Sequence, residues 1–196
     1  MNHSVGRLHT RRSALSLALS FLAVMGVYCE ARAAALQIVA IGADNVAGRG
    51  IGKRHTGGVS RSEAFPAQLQ AMLRAKGIDA SVTNAGQGGD TTGGMLGRLD
   101  SAVPAGTRLV IIDIARGNDK HQGMASEEGD ALNQIKARLT ARHVPFIVLP
   151  PWDQIPGAVE NRDADGHHFT AEGHTRIAAY LLPLVVRASE KRGRKA

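Results

Sequence analysis

Four short stretches concentrate the residues that can do chemistry: Gly42-Ala43-Asp44-Asn45-Val46-Ala47-Gly48, Asn84-Ala85-Gly86-Gln87-Gly88-Gly89-Asp90-Thr91-Thr92, Arg116-Gly117-Asn118-Asp119 and Asp165-Gly166-His167-His168-Phe169-Thr170. Each combines glycine with a carboxylate, an amide or an imidazole. In the last, a carboxylate precedes an imidazole by three residues, so both reach one point from a loop or a first helical turn. An imidazole held beside a carboxylate moves protons near neutral pH. Other chemistries fit less well. His167, His168 and His174 with Asp165 and Glu172 have the residue types of a metal cluster, but adjacent histidines in extended chain point apart. Gly48-x-Gly50-x-Gly52 lacks dinucleotide-loop spacing, and Gly52-Lys53-Arg54 lacks the hydroxyl residue that follows a P-loop lysine. No metal and no cofactor is expected. His174 is expected on the last helix, capping or exposed. Trp152 is expected to wall a pocket or to pack against the sheet edge.

The segments before these stretches must position them. Leu36–Ile41, Ile78–Thr83, Leu109–Ile114 and Val144–Leu149 are short apolar runs that read as strands. Between them, Phe65, Leu69, Met72 and Leu73 form a helical stripe preceded by a Ser60-to-Glu63 capping box and closed by Gly77. Residues 91–103 read as a helix, Ser126 caps another lined by Leu132, Ile135 and Leu139, and a last one starts at Thr170 with Ile177, Leu181 and Val185 inward. Pro183 is expected to kink or shorten it. Strands alternating with helices predict an α/β, flavodoxin-like three-layer sandwich, with a central parallel sheet of four or five strands and helices on both faces. Such sheets bind ligands at the carboxyl ends of their strands, where the four stretches fall.

The chain has 196 residues, 43% hydrophobic, 21% charged and only 4% aromatic, enough for an aliphatic core but poor in stacking platforms for single-stranded nucleic acid. Of the formal +7 charge, +3 lies in residues 1–33 and +4 in residues 187–196, so the body between is neutral and no nucleic-acid partner is expected. Arg7, Arg11 and Arg12, an uncharged apolar run from Ala14 to Tyr28, and Ala31-Arg32-Ala33 compose a secretory signal peptide over 1–33, with Thr10-Arg11-Arg12-Ser13 hinting at twin-arginine export. The expected destination is periplasmic or secreted. The one cysteine, Cys29, falls in that leader, which excludes an internal disulfide framework and a cysteine zinc site. The catalytic-type domain is expected over 34–189 and a basic tail over 190–196, the tail weakly attracted to an anionic membrane surface.

In their order and separations the four stretches resemble the SGNH or GDSL hydrolases, a family of esterases, lipases and thioesterases with a flavodoxin-like fold. The resemblance covers residues 36–185. It implies a small-molecule ester or acyl ligand and five site residues. Asn84 to Thr92 matches the family's Asn-x-x-x-x-Gly-Asp-Thr loop and implies the Gly89 N–H as an oxyanion donor. Gly117-Asn118-Asp119 implies the Asn118 side chain as the other. Asp165-Gly166-His167-His168 matches Asp-x-x-His, with His168 as base and Asp165 as its orienter. The first stretch departs from the pattern. Alignment on Gly42 and Gly48 puts Asp44 where the family has its nucleophilic serine. Asp44 has no proton to give, favours the imidazolium form of a nearby His168, and is expected within hydrogen-bond reach of that ring, its oxygens filling the oxyanion hole. Three readings follow: hydrolysis of carboxylic (acyl) esters by an atypical site, a non-catalytic ligand-binding pseudo-hydrolase, or a hydrolase using Asp44 as nucleophile at saturated carbon.

Overall fold

The computed structural model describes residues 35–49 and 57–193; the expected signal peptide over 1–33 lies outside them. The four apolar runs become strands Leu36–Gly42 (β1), Ala80–Gly86 (β2), Leu109–Ile112 (β3) and Phe146–Val148 (β4). They form one parallel sheet in the order β2-β1-β3-β4. β2 begins and ends later than its apolar run, because its register against β1 carries pairing through to Gly42 opposite Gly86. That extension needs glycine. A side chain at Gly86 would collide with the backbone of Val46 and Ala47, which pack directly on the strand end.

Side-chain alternation divides the sheet between two cores. On one face Ile38, Ala40, Val82, Leu109 and Ile111 pack against helices Phe65–Ala75 and Ala171–Gly193. On the other, Val39, Ile41, Val110 and Ile112 pack against Met95, Leu99, Ile135 and Leu139. Those residues come from helices Thr92–Gly97, Leu99–Ala102 and Glu128–Ala141. The arrangement is the α/β three-layer sandwich with a flavodoxin-like winding.

Several local details differ from the sequence reading. The helix expected over 91–103 is two pieces, interrupted at Arg98. Ser60 and Glu63 do bond, the Ser60 N–H and Oγ donating to Glu63 Oε2 at 3.2 and 2.7 Å, but in a turn ahead of the helix and with the Glu63 N–H on the Ser60 carbonyl instead of its hydroxyl. Ser126 does not cap; the next helix starts at Glu128 without a side-chain cap. Thr170 does cap the last helix, its Oγ1 accepting from the Gly173 N–H at 3.3 Å. That helix passes through Pro183 and reaches Gly193, beyond the boundary expected at 189.

Candidate active site

Asp44 begins the four-residue helix Asp44–Ala47 immediately after β1, so its side chain stands at the carboxyl edge of the sheet. Gly89 lies in the loop after β2 with φ +75°, a left-handed conformation that suits glycine and aims its N–H at Asp44. That N–H donates to Asp44 Oδ1 at 3.1 Å, and Asn118 Nδ2 donates to Asp44 Oδ2 at 2.5 Å. Asn118 comes from the short helix Arg116–His121 after β3. His168 Nε2 lies 3.9 Å from Asp44 Oδ1, and His168 Nδ1 lies 2.5 Å from Asp165 Oδ2. The five expected site residues therefore meet. Asp44 and His168 pair at 3.9 Å, looser than a close hydrogen bond and within the loosening expected of an unliganded site, while Gly89 and Asn118 each hold one carboxylate oxygen.

The electrostatics follow from these contacts. Burial alone would raise the Asp44 pKa, but His168, Asn118 and Gly89 outweigh it and hold the carboxyl down at about 2. Burial likewise opposes ionisation of Asp165, yet His168 and the backbone N–H groups of His168 and His167 hold it well below the usual carboxylate range. The Asp44 carboxylate raises the His168 pKa, against burial and with help from Asp165. The two carboxylates on either side of the ring thus favour its imidazolium form. The Asp44 carboxylate engages both the Gly89 N–H and Asn118 Nδ2, the two donors that the resemblance implies for an oxyanion.

Other residues fix this constellation. Arg98 Nε pairs with Asp90 Oδ2 at 2.7 Å, and its Nη1 and Nη2 donate to the carbonyls of Ala85 and Gly42 at 2.8 and 3.0 Å. One guanidinium thereby ties together the ends of β1 and β2 and the Gly89 loop. Buried Asp119 accepts from the Thr92 N–H at 2.9 Å and the Thr92 hydroxyl at 2.5 Å, locking the Asn118 helix to the same loop. Gln122 Nε2 donates to the Gly89 carbonyl at 2.9 Å. His174 is fully buried, which corrects its expected surface role. Its Nδ1 accepts from the Phe65 N–H at 3.2 Å, and burial pushes its pKa down to about 4.

A cavity of about 770 Å³ opens beside Asp44, Asn118 and His168. Trp152 takes the first of its two expected roles, walling the cavity, and packs edge-to-face on Phe169 at 5.1 Å between centroids. Asp113, at the end of β3, also lines it and was not singled out by the sequence reading.

No family model and no curated protein matches the sequence. Solved structures match in fold. TesA aligns with a TM-score of 0.63 at 22% identity over 78% of this chain and 99% of its own. AlinE4, an SGNH-hydrolase family esterase, aligns with a TM-score of 0.54 at 25% identity over 79% and 96%. The psychrotrophic esterase EstA from Pseudoalteromonas sp. aligns with a TM-score of 0.55 at 18% identity over 82% and 97%. The chain has the SGNH/GDSL hydrolase fold.

Proposed function

We propose that this chain is a hydrolase on the SGNH fold that uses Asp44 as nucleophile at saturated carbon, forming an ester on its own Asp44 and then hydrolysing it. The observation that carries the reading is the aim of the machinery. Gly89, Asn118 and the His168–Asp165 pair all converge on the carboxyl of Asp44. An acyl group at that point is the Asp44 side chain itself.

The steps use the groups as they stand. Oδ1 is held at 3.1 Å and is the looser of the two oxygens. It attacks a saturated carbon of the ligand, and the bond from that carbon to the leaving atom breaks, the leaving atom taking the electron pair. Esterification cancels the charge on Asp44. The attraction that kept His168 protonated disappears, and the ring releases its proton into the water of the cavity. Neutral His168, oriented by Asp165, then takes a proton from water as the water oxygen bonds to Cγ of Asp44. Negative charge gathers on Oδ2, where Asn118 already donates. Collapse breaks the Cγ–Oδ1 bond, and the departing alkoxide takes the proton back from His168. The carboxylic acid left at Asp44 gives its remaining proton to His168, and the sum is a ligand bond hydrolysed by one water, with the Asp44 carboxylate and the imidazolium restored.

His168→Gln should stop the cycle after its first half. Incubation of that variant with a short bromoalkane or an epoxide should add the ligand's mass to the protein, and peptide mapping should place it on Asp44. Absence of any adduct, with the protein folded, would exclude a covalent role and favour a ligand-binding pseudo-hydrolase.

A second reading, hydrolysis of an external acyl ester, is supported by the esterases among the structural neighbours. It requires the substrate carbonyl to displace Asp44 from Gly89 and Asn118, so it implies slow turnover. Under either reading the ligand is a small molecule, and the expected leader sends the protein to the periplasm or outside the cell.

A further inference from the structure

The first half of this cycle leaves one requirement unmet. A leaving atom that departs as an alkoxide needs a proton, whereas a halide does not. In an in-line displacement the leaving atom departs opposite the attacking oxygen. His168 lies beside that attacking oxygen, Oδ1, and so on the wrong side. Arg116 and Arg162 also line the cavity but do not give up protons at physiological pH. His121 and His167 are exposed at its surface.

Asp113 remains. It continues the buried face of Leu109 and Ile111 to the carboxyl end of β3, is 5% exposed, and lines the cavity. Among the described residues no hydrogen bond or ion pair reaches its carboxyl. A buried carboxyl without a partner keeps its proton, because ionising it has no compensation. Burial pushes its pKa up to about 8, opposed by Arg116 and reinforced by the charge on Asp44. The two carboxyls of the cavity are thus driven apart, one an anion and one an acid, the division of labour that acid-assisted displacement needs.

We propose that Asp113 donates the proton to the leaving oxygen while Asp44 is esterified, and that the substrate class is one whose leaving atom is an alkoxide oxygen, an epoxide being the simplest. The proposal rests on Asp44 as nucleophile. In the step, Asp44 Oδ1 bonds to an epoxide carbon, the carbon–oxygen bond breaks toward oxygen, and that oxygen takes the Asp113 proton. Asp113 is left as a carboxylate and regains a proton from the water that receives the one His168 releases. The product is a hydroxyalkyl ester of Asp44, which the second half converts to a diol.

The test compares Asp44 labelling by styrene oxide with labelling by a short bromoalkane, in His168→Gln protein with and without Asp113→Asn. Asp113→Asn is expected to lower the epoxide-to-bromoalkane rate ratio by ~10²–10⁴-fold, the usual contribution of a positioned acid. Should Asp113→Asn fail to fold, the pH dependence in His168→Gln alone decides. Epoxide labelling should decline above pH about 8 while bromoalkane labelling does not. An unchanged ratio, or epoxide labelling that is flat through pH 8, would overturn the role of Asp113 and leave Asp44 as nucleophile. No label on Asp44 from either reagent would remove the nucleophile reading, and this proposal with it.

Discussion

Asp44→Ser should turn the site into a conventional acyl-ester hydrolase. Two preorganised donors, the Gly89 N–H and Asn118 Nδ2, are engaged by the Asp44 carboxylate at 3.1 and 2.5 Å. A donor at an acyl oxyanion contributes ~2.7–4 kcal/mol to the transition state. Freeing both releases ~5–8 kcal/mol, which corresponds to a rate gain of ~10⁴–10⁶-fold. The substitution also removes the charge that raises the His168 pKa, which favours the neutral imidazole that accepts the serine proton. Serine is smaller than aspartate and should fit without moving the loop that Arg98 and Asp119 hold. The assay is steady-state hydrolysis of short-chain aryl esters by wild type, Asp44→Ser and Asp44→Ser/His168→Ala. The gain should appear in the single variant and vanish in the double one. A folded Asp44→Ser protein with no gain would refute the argument that the donors are blocked by Asp44 alone. Wild type already as fast as the variant would show that Asp44 does not block them.

Asp44→Asn should lower the proton affinity of His168, because unit charges 3.9 Å apart attract by about 4 kcal/mol at an effective dielectric of 20 and about 1 kcal/mol in water; imidazole NMR titration checks this, and an unshifted ring would contradict it. His174, held at about 4 when folded against 6.5 when free, binds fewer protons in the native state over that interval. Stability should therefore fall as pH drops from about 6.5 to about 4, and urea denaturation across that range should show the slope flattened in His174→Asn, whose Oδ1 replaces Nδ1 as acceptor for the Phe65 N–H. Asp119→Ala leaves the buried Thr92 N–H and hydroxyl without an acceptor and should cost about 3 kcal/mol in chemical denaturation; a loss under about 1 kcal/mol would mean that Asp119 does not brace the loop.

The parts of the fold legible in the sequence are those governed by periodicity. The strand–helix alternation, and the stripes at Phe65, Leu69 and Leu73 and at Ile177, Leu181 and Val185, correspond to the two buried faces of the sheet. What periodicity did not carry was the fine placement set by tertiary contact. β2 runs on to Gly86 because the chain at Val46–Ala47 packs against it, which no local pattern announces. The break falls at Arg98, whose guanidinium reaches the ends of β1 and β2 and Asp90 in the following loop, contacts that no local pattern announces. His174 did carry a signal, for it extends the Ile177, Leu181 and Val185 stripe back by one turn and is buried for that reason. Asp113 carried one as well, two residues beyond Ile111 on the same strand face. The convergence of Asp44, Gly89, Asn118, Asp165 and His168 was legible because all five follow strands or precede the last helix. The 3.9 Å gap between Asp44 and His168 was not, since it depends on how two donors share one carboxylate.

Oxygen exchange at Asp44 tests the central claim most directly. If the ester is formed on Asp44 and water attacks Cγ, the oxygen in the first product comes from the protein and the water oxygen stays in the carboxylate. Wild-type protein turning over an epoxide or a bromoalkane in ¹⁸O-water should then carry ¹⁸O in the peptide containing Asp44, with unlabelled alcohol or diol oxygen from the first turnover. Product that takes ¹⁸O from its first turnover, with an unlabelled Asp44 peptide, would contradict the account and assign any hydrolysis to direct attack by water.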